Sequence, residues 1–349
     1  MSKIAMVCHR YYPDIGGVET HVQQISERLA KSGFDVEVVC TDPTGKYPQQ
    51  ELYNGVKITR FRSLAPKNAY FFAPQVYFYL KDRDFDIVHA HNYHAFPALF
   101  ASVATKKRFI FTPHYHGGSH STLRNLLHKP YQWIGSFIFK KAEKVVCVSK
   151  YEMKLIETDF HVPRPKLVHI PNGLNLEEFK AIKELEKKSK IVLYAGRLES
   201  YKGIQYLIEA LPLLDGYRLK VIGKGSYDKK LHEIAQKLNV SDRIDWLKDI
   251  EREEFLSHFK SADVFVNLST FEAYGITVAE ALACGTPCIV ATGGALEEFV
   301  GDGCVGLSYP IDIKILADTI TNIKRITPRD MPDWEHITSE LIRVYTSNL

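Results

Sequence analysis

The sequence predicts an α/β protein built from two doubly wound parallel-sheet domains that face a central cleft. Three observations carry that prediction. Runs of apolar, often β-branched residues alternate with segments of helical period along the chain, which is the order of βαβ units. The strand runs are apolar throughout instead of alternating, as in sheets covered by helices on both faces. The alternation halts once, in the turn and charged stretch of residues 168–190, and then restarts. A chain of 349 residues exceeds one ordinary core and fits two Rossmann-like domains of about 150 to 180 residues each.

Taken in order, "KIAMVCH" opens as a strand, a helix follows over about Val18–Ser32, and "DVEVVCT" and "DIVHAHN" are the next strands. A helix near 95–105, the strand "RFIFTPH", a long amphipathic segment over 121–141 and the strand "KVVCVS" complete the first domain, residues 1–170. The second domain, 171–330, restarts at "KIVLYAGR", then runs through a helix over 203–214, "YRLKVIGKG", a helix over 227–238 and "RIDWLK". A helix over 251–259, "ADVFVNLS", a helix over 277–284, "PCIVAT" and a helix near 312–325 follow. The last stretch, 331–349, reads as a helix with Ile337, Leu341 and Val344 on one face, able to pack back across the hinge onto the first domain.

Composition narrows the function classes. With 45% hydrophobic and 25% charged residues the chain has the make-up of a soluble globular protein. No apolar run of about 18 residues occurs, and the first residues enter a strand at once, so neither a membrane span nor a signal peptide is expected and the cytoplasm is the expected location. The cysteines at 8, 40, 147, 284, 288 and 304 form no C-x-x-C pair and most sit in apolar, strand-like contexts, as reduced core thiols do. Residues 1–170 carry 23 Lys and Arg against 14 Asp and Glu, and residues 171–349 carry 22 against 27. A basic first half suits an anionic partner such as a membrane surface or a phosphorylated acceptor, or is ordinary surface charge. It contains no basic run of the kind that nucleic-acid-binding arms have.

Three places could carry chemistry. Gly16 and Gly17 lie between a strand and a helix start, where a backbone without Cβ atoms lets an oxyanion approach the free N–H groups, or where a plain tight turn is made. Arg197 and Lys202 flank the carboxyl end of the strand "KIVLYA", where a diphosphate would sit in such a sheet; two solvated surface cations would leave the same letters. The stretch "TFEAYGITVAEAL" sets Glu272 and Glu280 eight positions apart. On one helix they would lie about 80° apart, but Gly275 argues for a loop that ends there, with a helix starting near Ile276 or Thr277. The unpaired amides of Gly275, Ile276 and Thr277 would then face a ligand, with Glu272 on the loop and Glu280 in the first helical turns. A carboxylate so placed accepts hydroxyl hydrogen bonds, as sugars and riboses require.

Taken together, "YYPDIGGVETHV", "DIVHAHN", "TPHYHG", "HIPNGLN", "YAGRLESYKG", "VIGKG" and "TFEAYGITVAEALACGTPCIVATGG" resemble the retaining glycosyltransferases of family 4, which have the GT-B fold. The resemblance runs in order through nearly the whole chain, and Glu-x7-Glu leading into "EALACGTP" is its most specific part. It implies transfer of a hexose of mannose, glucose or N-acetylglucosamine type from a GDP- or UDP-sugar to a hydroxyl of a glycan or lipid-linked acceptor. Glu280 would hold the nucleotide ribose, Glu272 the donor sugar, and Arg197 and Lys202 the diphosphate. Gly223 of "VIGKG" and the pair Gly16-Gly17 would line the donor, and His114 of "TPHYHG" would stand beside the transferred sugar. Fixed cations and helix-start amides stabilise a departing diphosphate, so no cofactor or divalent metal is expected.

Two other metal signals are weaker. Asp82, Asp84 and Asp86 imitate a D-x-D pair but read as a helix end and a strand start. His89 and His91 share one strand face, a ligand-like spacing that raises a zinc-hydrolase alternative, yet neither histidine motif brings a carboxylate. Lining a cleft is the better use of His91 and His114. An epimerase or phosphorylase on the same plan, or a non-catalytic sugar-binding scaffold, are the other readings; a dinucleotide oxidoreductase lacks G-x-G-x-x-G. The aromatic stretch 69–80, and the segment 121–144 with Arg124, Lys129, Lys140 and Lys141, suit peripheral contact with a membrane holding the acceptor, or core helices with solvated lysines.

Overall fold

The computed structural model describes residues 2–117, 122–186 and 188–347. The chain divides into two compact units, Met1–Gly173 together with Trp334–Leu349, and Leu174–Asp333. His120 and the side chains of Arg124 and Lys129 lie outside what is described.

In the first unit the strands are β1 (Lys3–Val7), β2 (Asp35–Thr41), β3 (Gln50–Tyr53), β4 (Val56–Phe61), β5 (Ile87–His91), β6 (Arg108–Thr112), β7 (Lys144–Cys147) and β8 (Leu167–His169). They form one sheet in the order β3-β4-β2-β1-β5-β6-β7-β8. Every pairing is parallel except β3 with β4. The helices α1 (Gly17–Lys31), α2 (Gln75–Lys81), α3 (Phe96–Ala104), α4 (Thr122–Lys141) and α5 (Lys150–Phe160) make the crossovers. The hairpin of β3 and β4 is an addition to the elements expected above. Its turn is Asn54-Gly55, both at positive φ (47° and 80°), the two-residue chemistry that matches hairpin twist. The stretch 69–80 is divided: Phe71, Ala73, Val76 and Leu80 are buried, while Phe72 and Phe78 face outward.

The last helix, Trp334–Thr346, packs against α1. Ile337, Leu341 and Val344 are buried, and the Tyr345 hydroxyl meets Nδ1 of His89 at 2.6 Å. Arg108 donates to the carbonyls of Val344 and Tyr345, so the final turn's free acceptors are satisfied by a cation from β6.

The second unit contains α6 (Leu176–Lys180), β9 (Lys190–Ala195), α7 (Ile204–Ala210), β10 (Tyr217–Ile222), α8 (Asp228–Lys237), β11 (Ile244–Leu247), α9 (Arg252–Ser261), β12 (Val264–Asn267), α10 (Ile276–Ala283), β13 (Cys288–Ala291), β14 (Cys304–Leu307) and α11 (Ile313–Asn322). Its sheet is parallel throughout, in the order β11-β10-β9-β12-β13-β14. The period-2 rule is plain in β9. Val192 and Tyr194 enter the core on one face, with Leu207 and Leu231, while Ile191, Leu193 and Ala195 enter the core on the other, with Phe259 and Leu282. The helix expected over 203–214 stops at Ala210 and continues as a 3₁₀ turn over Leu211–Leu213. Pro212 is the reason, because its ring and missing N–H end an α-helix. All six cysteines are buried and unpaired. Among the described residues no helix is long and apolar enough to cross a membrane.

Candidate functional site

The second sheet reverses direction at β9 and β12: β10 and β11 lie to one side of β9, β13 and β14 beyond β12. Loops leaving the carboxyl ends of two strands at such a switch point splay apart and leave a crevice. From β9 come Gly196, at φ 151°, and the exposed Arg197. The Arg197 guanidinium donates to the Tyr201 hydroxyl at 2.9 Å, and the Tyr194 hydroxyl donates to the Arg197 carbonyl at 2.7 Å. A 3₁₀ turn, Ser200–Lys202, then buries Lys202 to 8% exposure. Gly203 follows at φ 76°, where a Cβ would lie 2.6 Å from that of Leu268. Gly223, after β10, stands at φ 145°, and a Cβ there would overlap the Gly196 carbonyl oxygen. Both loops therefore meet backbone to backbone.

From β12 comes the loop that holds Glu272, whose Oε1 accepts from Lys202 Nζ at 2.5 Å. Burial raises the Glu272 carboxyl, but the Lys202 ammonium outweighs that and holds it below the ordinary range. Gly275 caps α10 from the left-handed region, φ 108°, with its carbonyl accepting from the Val278 amide at 2.9 Å. The helix starts at Ile276, so the opening amides of α10 have no intrahelical acceptor. Glu280, on α10, is 4% exposed and its Oε1 lies 2.6 Å from Arg252 Nη1; the same guanidinium donates through Nε to Glu178 at 2.9 Å. Burial nevertheless raises the Glu280 carboxyl above its ordinary value. One arginine shared with a second carboxylate does not restore the solvation that Glu280 has lost, and further hydroxyl donors would be accepted. Arg252 had no distinguishing signal in the sequence, since it is one of several charged residues at the start of α9.

The first sheet has its switch point at β1 and β5. After β1, His9 and Arg10 turn to Glu19 in the first turn of α1: His9 Nε2 is 3.2 Å and Arg10 Nη2 3.0 Å from Glu19 Oε1. Gly16 is the N-cap of α1 in extended backbone, φ −177°. A Cβ on it would collide with the Glu19 carboxylate, whereas a Cβ on Gly17 would meet nothing within 4 Å. A side chain at Gly16 would thus displace the Glu19 carboxylate from His9 and Arg10, and Gly17 borders open space.

His91 ends β5, His114 follows β6 and Pro113, and His21 comes from α1. The three rings gather, with centroids 4.9 Å apart for His21 and His114, 5.4 Å for His21 and His91, and 5.9 Å for His91 and His114. His114 adopts φ 50°, a conformation that residues other than glycine rarely hold without cause. Burial pushes all three imidazoles down, His21 to about 4, so they are neutral at pH 7. His89, the strand partner of His91, is saturated instead: its Nε2 meets the Thr112 hydroxyl at 2.7 Å and its Nδ1 that of Tyr345. The sequence pair His89 and His91 is therefore one structural and one uncommitted histidine. His21 was not singled out from the sequence; its place four residues after Gly17 on α1 is the signal that could have marked it. Asp84 and Asp86 pair with Lys107, and Asp86 also accepts from the Lys3 amide, which makes that stretch a strand support.

Residues 15–178 match the Glycosyltransferase Family 4 domain and residues 175–330 the Glycosyl transferases group 1 domain. An uncharacterized glycosyltransferase of Methanocaldococcus jannaschii is 28% identical over 98% of this chain and 97% of its own. A phosphatidyl-myo-inositol mannosyltransferase of Mycobacterium leprae is 27% identical over 98% of this chain and 96% of its own. Among solved structures, a sucrose-phosphate synthase from Thermosynechococcus elongatus superposes with a TM-score of 0.83 at 20% identity, covering 99% of both chains. Two doubly wound sheets, each with polar groups at its switch point, define a GT-B glycosyltransferase. The chain belongs to family 4 of these enzymes.

Proposed function

We propose that this glycosyltransferase moves a hexose of mannose, glucose or N-acetylglucosamine type, with retention, from a GDP- or UDP-sugar to a hydroxyl of a glycan or lipid-linked acceptor, and needs no divalent metal. The observation that carries the reading is the Lys202–Glu272 pair at the switch point of the second sheet. A diphosphate arriving there would draw the Lys202 ammonium to itself and release Glu272 to accept hydrogen bonds from the sugar hydroxyls. Arg197 and the opening amides of α10, at Gly275, Ile276 and Thr277, add to the positive field on the diphosphate. The backbone at Gly223 admits the donor closely, Glu280 takes the ribose hydroxyls, Gly16 and Gly17 approach the diphosphate, and His114 addresses the transferred sugar.

In the transfer the bond from the anomeric carbon to the diphosphate oxygen breaks, and the acceptor oxygen bonds to that carbon on the same face. The acceptor proton passes to the departing phosphate oxygen. Lys202 and Arg197 stabilise the charge that develops on the leaving group, which is the work a metal does elsewhere. A lipid-linked acceptor is supported by the similarity to the phosphatidyl-myo-inositol mannosyltransferase of Mycobacterium leprae. The exposed Trp133 and Phe137 of α4, beside Lys140 and Lys141, also support it, as aromatic and basic groups suit contact with the cytoplasmic face of a membrane. The test is a panel of UDP-, GDP- and ADP-sugars with EDTA present, read by thermal shift and by release of nucleoside diphosphate with and without acceptor. Stabilisation and turnover by one GDP- or UDP-sugar are expected; no response to any donor, or loss of activity on chelation, would overturn the reading.

A further inference from the structure

We infer that His21, His91 and His114 form a binding site for one transition-metal dication of the zinc type. Each imidazole offers a nitrogen, and the three ligand atoms lie within 4.8 Å of one another. Three imidazoles bound at about 2.1 Å to one tetrahedral ion place their ring centroids on the order of 5 Å apart. The observed separations of 4.9, 5.4 and 5.9 Å surround such a point already, and closure by about an ångström completes the geometry.

Both nitrogens of His91, Nε2 of His21 and Nε2 of His114 are buried without a hydrogen-bond partner among the described residues. Buried polar atoms are almost always paired, so four orphans in one cluster need an explanation. Nδ1 of His21 is paired as a ligand's outer nitrogen would be. Nδ1 of His21 donates to Asn172 Oδ1 at 2.7 Å, which leaves the Nε2 lone pair free to point into the cluster. His89, one strand step away, shows the contrast of a buried histidine with both nitrogens satisfied.

An all-nitrogen set of three with an open position suits zinc, copper or nickel and does not suit magnesium or calcium, which take oxygen ligands. The ion would not serve the diphosphate. It would hold His114 by its ring nitrogen and withdraw it from the sugar, a consequence that rests on the role proposed for His114 and predicts that zinc slows transfer and chelation restores it.

The site itself is tested without turnover. The full chain is stripped with a chelator and titrated with Co²⁺, followed by the visible absorption of tetrahedral cobalt. One ion per chain is expected, displaced by Zn²⁺. His91→Gln should abolish the band, and Asn172→Ala should weaken binding by about 10- to 100-fold. His232→Gln, a surface histidine beside Asp228, should change nothing. No cobalt band, or a band that survives His91→Gln and so belongs to cobalt bound elsewhere, overturns the inference. If His91→Gln does not fold, Asn172→Ala decides: unchanged affinity overturns the site. Donor binding enters none of these readouts, so their failure leaves the transferase reading untouched.

Discussion

Glu272 and Glu280 sit on the same loop-to-helix junction and are held by different cations, so they should respond differently to removal. Glu280→Ala is expected to raise the donor Kd by tenfold or more, from the loss of about two hydroxyl hydrogen bonds to a charged acceptor, with a smaller change in kcat. Glu272→Ala and His114→Ala should lower kcat at least as strongly as they raise KM; equal and negligible effects in all three would refute the assignment of roles. The two carboxylates also titrate in opposite senses. Because the folded Glu272 carboxyl is depressed, its contribution to stability is present above the ordinary glutamate range, about pH 4.3, and is lost as pH falls through its lower folded value. Burial raises Glu280, so its ionised form costs stability at neutral pH and that cost disappears on acidification. Glu272→Gln should therefore flatten the acid side of the melting profile of the second unit, and a variant that follows the wild-type slope below about pH 4 would contradict the ion pair.

At the scale of elements, β9 carries two cores at once. Leu193 is fully buried on the face shared with Phe259 and Leu282, and Leu193→Ala should cost about 2–5 kcal/mol, read by denaturant unfolding. Gly223→Ala is expected to cost comparably and to abolish donor binding, since any Cβ there overlaps the Gly196 carbonyl and parts the two loops. Apart from β3, β4, β8 and β14, the strands of both sheets were legible in the sequence as apolar runs, whereas β8 and β14 are short and only partly buried. The hairpin of β3 and β4 was written in Asn54-Gly55 but hidden by the half-exposed alternation of β3 and by the polar residues Lys57, Thr59 and Arg60 that interrupt β4. The junction at Gly275 was legible too, as a glycine between a strand and a helix-forming run. What the sequence could not supply were pairings across distant segments: Arg252 with Glu280, and His21 with His91 and His114. No spacing rule links a helix near residue 20 to loops near residues 91 and 114 until the sheet order brings the ends of β5 and β6 beside α1.

For the molecule as a whole, the last helix completes the first unit and not the second. A chain ending at Asp333 loses the Tyr345 hydroxyl on His89 and the acceptors of Arg108. Its first unit should melt at lower temperature and lose hydrogen-exchange protection in β5 and β6, while the second unit keeps its own transition. Coincident loss in both units would show instead that they unfold as one.

The second unit is thus an insertion in the chain of the first. Its two ends are laced together: Leu174 pairs with Asp333 in a parallel bridge and its amide donates to the Pro332 carbonyl at 2.9 Å. During synthesis the order of completion follows from this. The segment that begins first finishes last, because its sheet waits for a helix made after all of the second unit has emerged, whereas the inserted unit can close as soon as Asp333 is free. A nascent first unit therefore lacks the Tyr345 partner of His89 and the carbonyl acceptors of Arg108 until the 160 residues of Leu174–Asp333 and the helix that follows them have been made.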